Sequence, residues 1–171
     1  MRQIVYLISL LLLYGCANDL TDIAFIDELK HPTKFPDIYQ PDVLDIEKLL
    51  AENPLNEGEK LKVVPLGETK YASIQMMLVR SGVEVPTHYH EDHDEVMHIK
   101  KGSAVVILDG TRYYVEEGAV ILVPRKSWHK VMNTDKEVYV AVSVFYPPYM
   151  GEDIKFVKEK KRKTKKRELE Y

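Results

Sequence analysis

The sequence predicts an all-β protein whose strands close into an antiparallel sandwich or barrel. Three observations carry this expectation. Between residues 61 and 146, eight short β-rich runs (62–66, 72–80, 96–100, 104–108, 111–115, 119–123, 128–132 and 138–146) follow one another with turn residues between them. Asp109-Gly110 joins two of the runs as a two-residue hairpin turn of the kind that tolerates positive φ, and Glu117-Gly118 punctuates the next. No long helical pattern interrupts the series, which excludes a parallel α/β sheet. With 171 residues, 45% of them hydrophobic, the chain is long enough for one domain with a sizeable core. Its apolar content excludes disorder throughout, and its single cysteine, Cys16, excludes a disulfide scaffold.

Taken in order, the chain opens with Arg2 and an apolar run over residues 4–13, well short of the roughly 20 residues that span a bilayer, so no transmembrane helix is predicted. A basic residue, a short apolar core and a possible cleavage zone at Leu13-Tyr14-Gly15-Cys16 have the layout of a secretory signal. Leu13, Gly15 and Cys16 resemble the lipobox of a bacterial lipoprotein, with Tyr14 standing where a small residue is usual. The resemblance implies removal of residues 1–15, a diacylglyceryl thioether on Cys16 and fatty acylation of the new N-terminus, with more than one chain to anchor it. The expected location is the bacterial cell envelope. In a Gram-negative host it is the periplasmic side of the outer membrane, since Ala17 rather than an aspartate follows the cysteine.

Residues 16–60 read as a tether punctuated by Pro32, Pro36, Pro41 and Pro54 and interrupted by one short helix. Asp42 is placed to cap that helix, Val43, Ile46, Leu49 and Leu50 form its apolar stripe, and Asn53-Pro54 stops it. It is expected to cover a barrel edge. The β-barrel domain is assigned to residues 61–148, because Pro147-Pro148 cannot donate to a ladder and must end the last strand. Residues 149–171 are expected to form a basic, solvent-exposed tail, with Ile154, Phe156 and Val157 its only apolar group that could dock. Residues 151–171 hold nine basic and five acidic side chains, a net +4, against −7 for the rest of the chain. An acidic body with a basic tail argues against nucleic acid as a partner.

The chemistry lies in the histidines. On a strand, His88 and His90 point the same way and can grip one ion. Glu95 returns a carboxylate across the turn over residues 91–94, and His129 on a later strand offers a fourth ligand. Imidazoles with a carboxylate suit a divalent first-row transition metal, and do not distinguish Fe, Mn, Ni, Cu or Zn. If Glu95 faces inward, so do Met97 and Ile99, while His98 faces out. His93 in its acidic turn and His31 before Pro32 are likewise expected at the surface.

Gly82, His88, His90, Glu95 and Gly102, then Gly118, Pro124, His129 and Asn133, stand at the spacings of the two cupin motifs, and the segment resembles the cupin superfamily. Lys126 stands where the second motif has its second glycine. The resemblance implies a cupin-type double-stranded β-helix, or jelly roll, holding one metal on His88, His90, Glu95 and His129. It leaves two readings of function open. One is an oxygenase, isomerase or lyase acting on a small organic molecule, and the other is a non-catalytic module that binds a metal-coordinating ligand. Two coordination positions would remain for that ligand. By alternation, either Gln75, Met77 and Val79 or Ile74, Met76, Leu78 and Arg80 face inward, and Tyr139 and Ser143 are the expected pocket residues on the last strand. The four valines alternating with them suit a packed face or a homodimer contact, and Tyr113, Tyr114, Tyr146 and Tyr149 suit a cavity mouth or an interface.

Overall fold

The computed structural model describes residues 42–149, 151 and 153–157. The expectations for the signal residues 1–15, Cys16, His31, the first part of the tether and the basic run after Val157 fall outside that range. One short helix, α1 (Ile46–Glu52), precedes ten strands: β1 (Leu61–Glu68), β2 (Ser73–Val79), β3 (Glu84–His90), β4 (Asp94–Lys101), β5 (Ser103–Leu108), β6 (Thr111–Glu116), β7 (Val120–Val123), β8 (His129–Asn133), β9 (Tyr139–Tyr146) and β10 (Ile154–Phe156). They form two five-stranded antiparallel sheets, ordered β1-β2-β9-β4-β7 and β10-β3-β8-β5-β6. Each of the eight runs expected from the sequence carries a strand whose ends lie within two residues of those expected. None of the described helices is long and apolar enough to cross a membrane.

Period-two patterning decides which side chains meet between the sheets. Met77, Val79, Met97, Ile99, Tyr139 and Ala141 from one sheet pack against Val85, Val106 and Val131 from the other, all buried. The opposite face of β2 and β9, with Met76, Leu78 and Val140, is also buried, under Ile46, Leu49 and Leu50 of α1. The helix therefore covers the outer face of a sheet rather than the expected barrel edge. The apolar strip it needs runs along two adjacent interior strands. Arg80 secures the linker behind α1, donating from Nε to the Glu59 carbonyl and from a terminal nitrogen to that of Asn56, each at 2.6 Å.

The helix also starts one turn later than its stripe implies. Asp45, not Asp42, is the N-cap and accepts from the Lys48 amide at 3.2 Å, while Asp42 accepts only from its neighbour Val43. Val43 is 93% exposed, so a turn begun there would bury nothing. Asn53 caps the other end, its amide donating to Leu49 and Leu50. Asp45→Ala is expected to cost about 1 kcal/mol, whereas Asp42→Ala should leave the thermal midpoint nearly unchanged. Equal effects in thermal denaturation would contradict this assignment.

The domain does not end at residue 148. Tyr149, Asp153 and Ile154 are buried, and β10 pairs antiparallel with β3, placing Ile154 opposite His90 and Phe156 opposite His88. The expected solvent-exposed tail from residue 149 is thus corrected through Val157. The free edge of β3 and the apolar side chains of Ile154 and Phe156 complement each other, and pairing removes both liabilities. Net charge, which suggested a solvated tail, says nothing about three residues placed to pair.

Candidate metal centre

The site is built by a local irregularity in β3. Val85 pairs with Val131, but the next partners are His88 and His129, so β3 carries one more residue than β8 across this stretch. The extra residue lies around Pro86, which has no amide to give the ladder. The bulge reverses side-chain parity, so Val85 and His88 both point inward although three positions apart, and His90 follows by simple alternation. His129 opens β8 directly opposite His88, their ring centroids 4.0 Å apart. Glu95 comes from β4 in the facing sheet.

The nitrogens of His88, His90 and His129 lie within 4.8 Å of one another, and all three rings are buried. Glu95 Oε2 stands 3.5 Å from His129 Nε2 and 3.9 Å from His90 Nε2. Backbone carbonyls select the tautomer at two of the rings. His88 Nδ1 donates to the Pro86 carbonyl at 2.7 Å and His129 Nδ1 to the Ser127 carbonyl at 3.0 Å. Because a carbonyl only accepts, each of these rings carries a proton on Nδ1 and turns Nε2 toward the shared centre.

Electrostatics prepares the same donor set. Burial would raise the Glu95 pKa, but hydrogen bonding to His129, the charges of His129 and His90, and Ser143 hold it at about 2, so the carboxylate is ionised. His88 is pushed well down, first by burial and then by its two histidine neighbours, which keeps it neutral near pH 7. His129 is raised, the Glu95 carboxylate outweighing the effect of burial. Three imidazoles and one carboxylate, buried together, match the donor chemistry of a divalent first-row metal. These four residues would hold it.

They line a small pocket open to solvent, walled by Gln75, Met77, Val85, Met97, Val131, Phe145 and Tyr149, with Ile154 of β10 closing one side. Of the two faces of β2, the Gln75, Met77 and Val79 set is the inner one. Gln75 Oε1 is buried without a hydrogen-bond partner. The expected pocket residues Tyr139 and Ser143 both face inward but do not line the cavity. Tyr139 lies in the core with its hydroxyl 3.6 Å from Met97 Sδ, and Ser143 backs Glu95. Position along β9 decides this, since Phe145, opposite Glu95, reaches the cavity from the same face.

One other expectation changes. His93 is not a surface residue. It is buried, its Nδ1 paired with Asp153 Oδ2 and its Nε2 with the Pro148 carbonyl at 2.7 Å, both partners lying beyond the last predicted strand. His98 is exposed as alternation requires. Lys126 adopts φ +68, the left-handed conformation that the missing glycine would take without strain. Its amide donates to the His90 carbonyl at 2.7 Å and its ammonium pairs with Glu91 at 3.0 Å, so the turn survives the substitution. Gly102 is a stricter position, because a Cβ there would lie 3.3 Å from the Tyr139 Cα.

Sequence reasoning missed Asp153. Burial would raise its pKa, but His90, His93 and the Asp92 amide hold it well below the usual carboxylate range. The acidic character of a single residue in a basic stretch carried no signal of this.

Residues 75–145 match the cupin domain family. An uncharacterized protein of Methanocaldococcus jannaschii is 30% identical over 81 residues, which is 47% of this chain and 65% of that one. Among solved structures, a double-stranded β-helix protein of Klebsiella pneumoniae superposes with a TM-score of 0.59 at 16% identity, covering 70% of this chain and 100% of that one. A Thermus thermophilus protein gives 0.57 at 20% identity, covering 64% and 100%. These likenesses speak to the fold. Residues 75–145, with their two-sheet topology and three converging histidines, are thus similar to the cupin domain in pattern and in fold.

Proposed function

We propose that this protein is an exported, lipid-anchored metal-binding cupin that acts on a small organic molecule at a centre formed by His88, His90, Glu95 and His129. The observation that carries the reading is the convergence of three buried imidazoles, two with Nδ1 engaged by backbone carbonyls, beside an ionised buried carboxylate in the lining of an open pocket. A bound metal would supply Lewis-acid or redox chemistry to a ligand in its open positions. The chain's own walls supply desolvation and orientation: Met77, Met97, Phe145 and Ile154 exclude water, and Gln75 offers an unsatisfied acceptor to a ligand that carries a donor. Oxygenase, isomerase and lyase chemistry all fit such a site.

A second reading, a module that binds a metal-coordinating ligand without turnover, is favoured by the cavity wall itself. Apart from Glu95 and the histidines, Tyr149 is its only titratable side chain among the described residues, and burial, with Asp153 and Glu95 nearby, raises its pKa. Metal analysis of the purified protein, followed by a screen of small organic acids and carbonyl compounds for turnover with and without oxygen, separates the readings. Absence of bound metal after reconstitution with each first-row ion would refute both.

The anchor rests on the Leu13, Gly15 and Cys16 pattern. Cys16→Ser is expected to move the protein from the membrane fraction to the soluble envelope fraction and to abolish labelling by a radioactive fatty acid. Unchanged fractionation in the variant would refute anchoring through Cys16.

A further inference from the structure

The three rings of the centre do not have the same support. His88 and His129 each give their Nδ1 proton to the backbone carbonyl two residues earlier, whereas no backbone carbonyl meets Nδ1 of His90. What faces that nitrogen is Asp153 Oδ1, 3.6 Å away. Both atoms are buried and neither has a hydrogen-bond partner. Two orphaned polar atoms of complementary kind, facing one another out of water, are stabilised by closing a gap that a small rotation of the ring or carboxylate spans.

The carboxylate is held for this purpose from its other side. Its Oδ2 accepts from the Asp92 amide at 3.1 Å and pairs with His93 Nδ1. His93 in turn is fixed by the Pro148 carbonyl. The Asp153 carbonyl accepts from the Glu91 amide at 3.3 Å, and β10 registers the next residue, Ile154, directly opposite His90. Side chain, backbone and strand pairing therefore all fix the position of Oδ1.

We propose that Asp153 is a positioning residue of the metal centre, supplying to His90 the acceptor that the backbone supplies to His88 and His129. It holds the His90 proton on Nδ1 and the lone pair on Nε2, the nitrogen 3.9 Å from Glu95 Oε2. The segment after the barrel motifs thus completes the centre, and His93 acts through Asp153 to support it. The role in metal binding rests on the reading given under Proposed function, but the role in the ring's tautomer does not.

Two measurements on the full-length protein test this. Zinc affinity is read by competition with a chromogenic chelator, and the His90 tautomer of the metal-free protein is read from its ring nitrogens by ¹⁵N NMR. Asp153→Ala is expected to weaken zinc binding by about 10–100-fold, the usual cost of losing such a partner, and to shift His90 from the Nδ1-protonated form to a mixture. Asp153→Asn keeps the size and one acceptor, so β10 stays docked and both effects should be smaller. If Asp153→Ala leaves either the zinc affinity or the tautomer unchanged, the proposal is overturned. Should the parent protein take up no zinc or other first-row ion, the metal reading falls, and a His90 tautomer unchanged in Asp153→Ala would still overturn the role of Asp153.

Discussion

Replacing His88, His90 or His129 by alanine is expected to lower bound metal from about one ion per chain to a small fraction of that after dialysis. In the proposed centre each ring supplies one of four donors, and each is buried, so the vacated space would be lined by groups that cannot substitute for an imidazole. His98→Ala should retain metal fully, because that ring is exposed on the outside of β4. His93→Ala should fall between, since it frees Asp153 without removing a ligand. Metal quantification on the five variants decides the matter, and equal loss in all of them would sink the assignment.

Asn133→Ala is expected to produce the largest loss of stability among the polar positions of the motifs, about 3 kcal/mol or more. Asn133 is 2% exposed and fully engaged. Its Nδ2 donates to the carbonyls of Val79 at 2.9 Å and Glu137 at 2.8 Å, and its Oδ1 accepts from the Asp135 amide at 2.8 Å. Alanine leaves those backbone groups without partners where the end of β2 in one sheet meets the turn after β8 in the other. The thermal midpoint should drop by roughly 10 °C or more, with metal stoichiometry at low temperature preserved. A change below ~1 kcal/mol would show that water replaces the side chain, and loss of metal in a folded variant would place Asn133 in the centre instead.

The spacing of Gly82, His88, His90 and Glu95 was legible because the motif residues lie close together in the chain and their period-two geometry is local. Asn133 shows the limit of that legibility. Its place in the motif says that the position matters, while only the contacts reveal a clasp between backbone segments. The parity-reversing bulge at Pro86 was hidden for a related reason, since the number of residues opposing one another is a property of two strands.

Tyr139 and Ser143 were placed on the correct face but at the wrong depth, because alternation gives direction and not distance from the cavity. His93 looked like a solvated turn residue because Asp153 and Pro148, its partners, are far along the chain in a segment whose composition is dominated by charge.

By itself the sequence determined the all-β class, the strand series, the inward set of β2 as one of two alternatives, and the three histidines, His88, His90 and His129, that the fold brings together. Each of these follows from side-chain alternation and short-range spacing. The tertiary structure decided that α1 lies on a sheet face, that β10 extends the domain, that Lys126 keeps a glycine's conformation and that Asp153 stands behind His90. Those features depend on which distant segments meet, and burial and pairing across long loops select that from many arrangements that local pattern leaves equal.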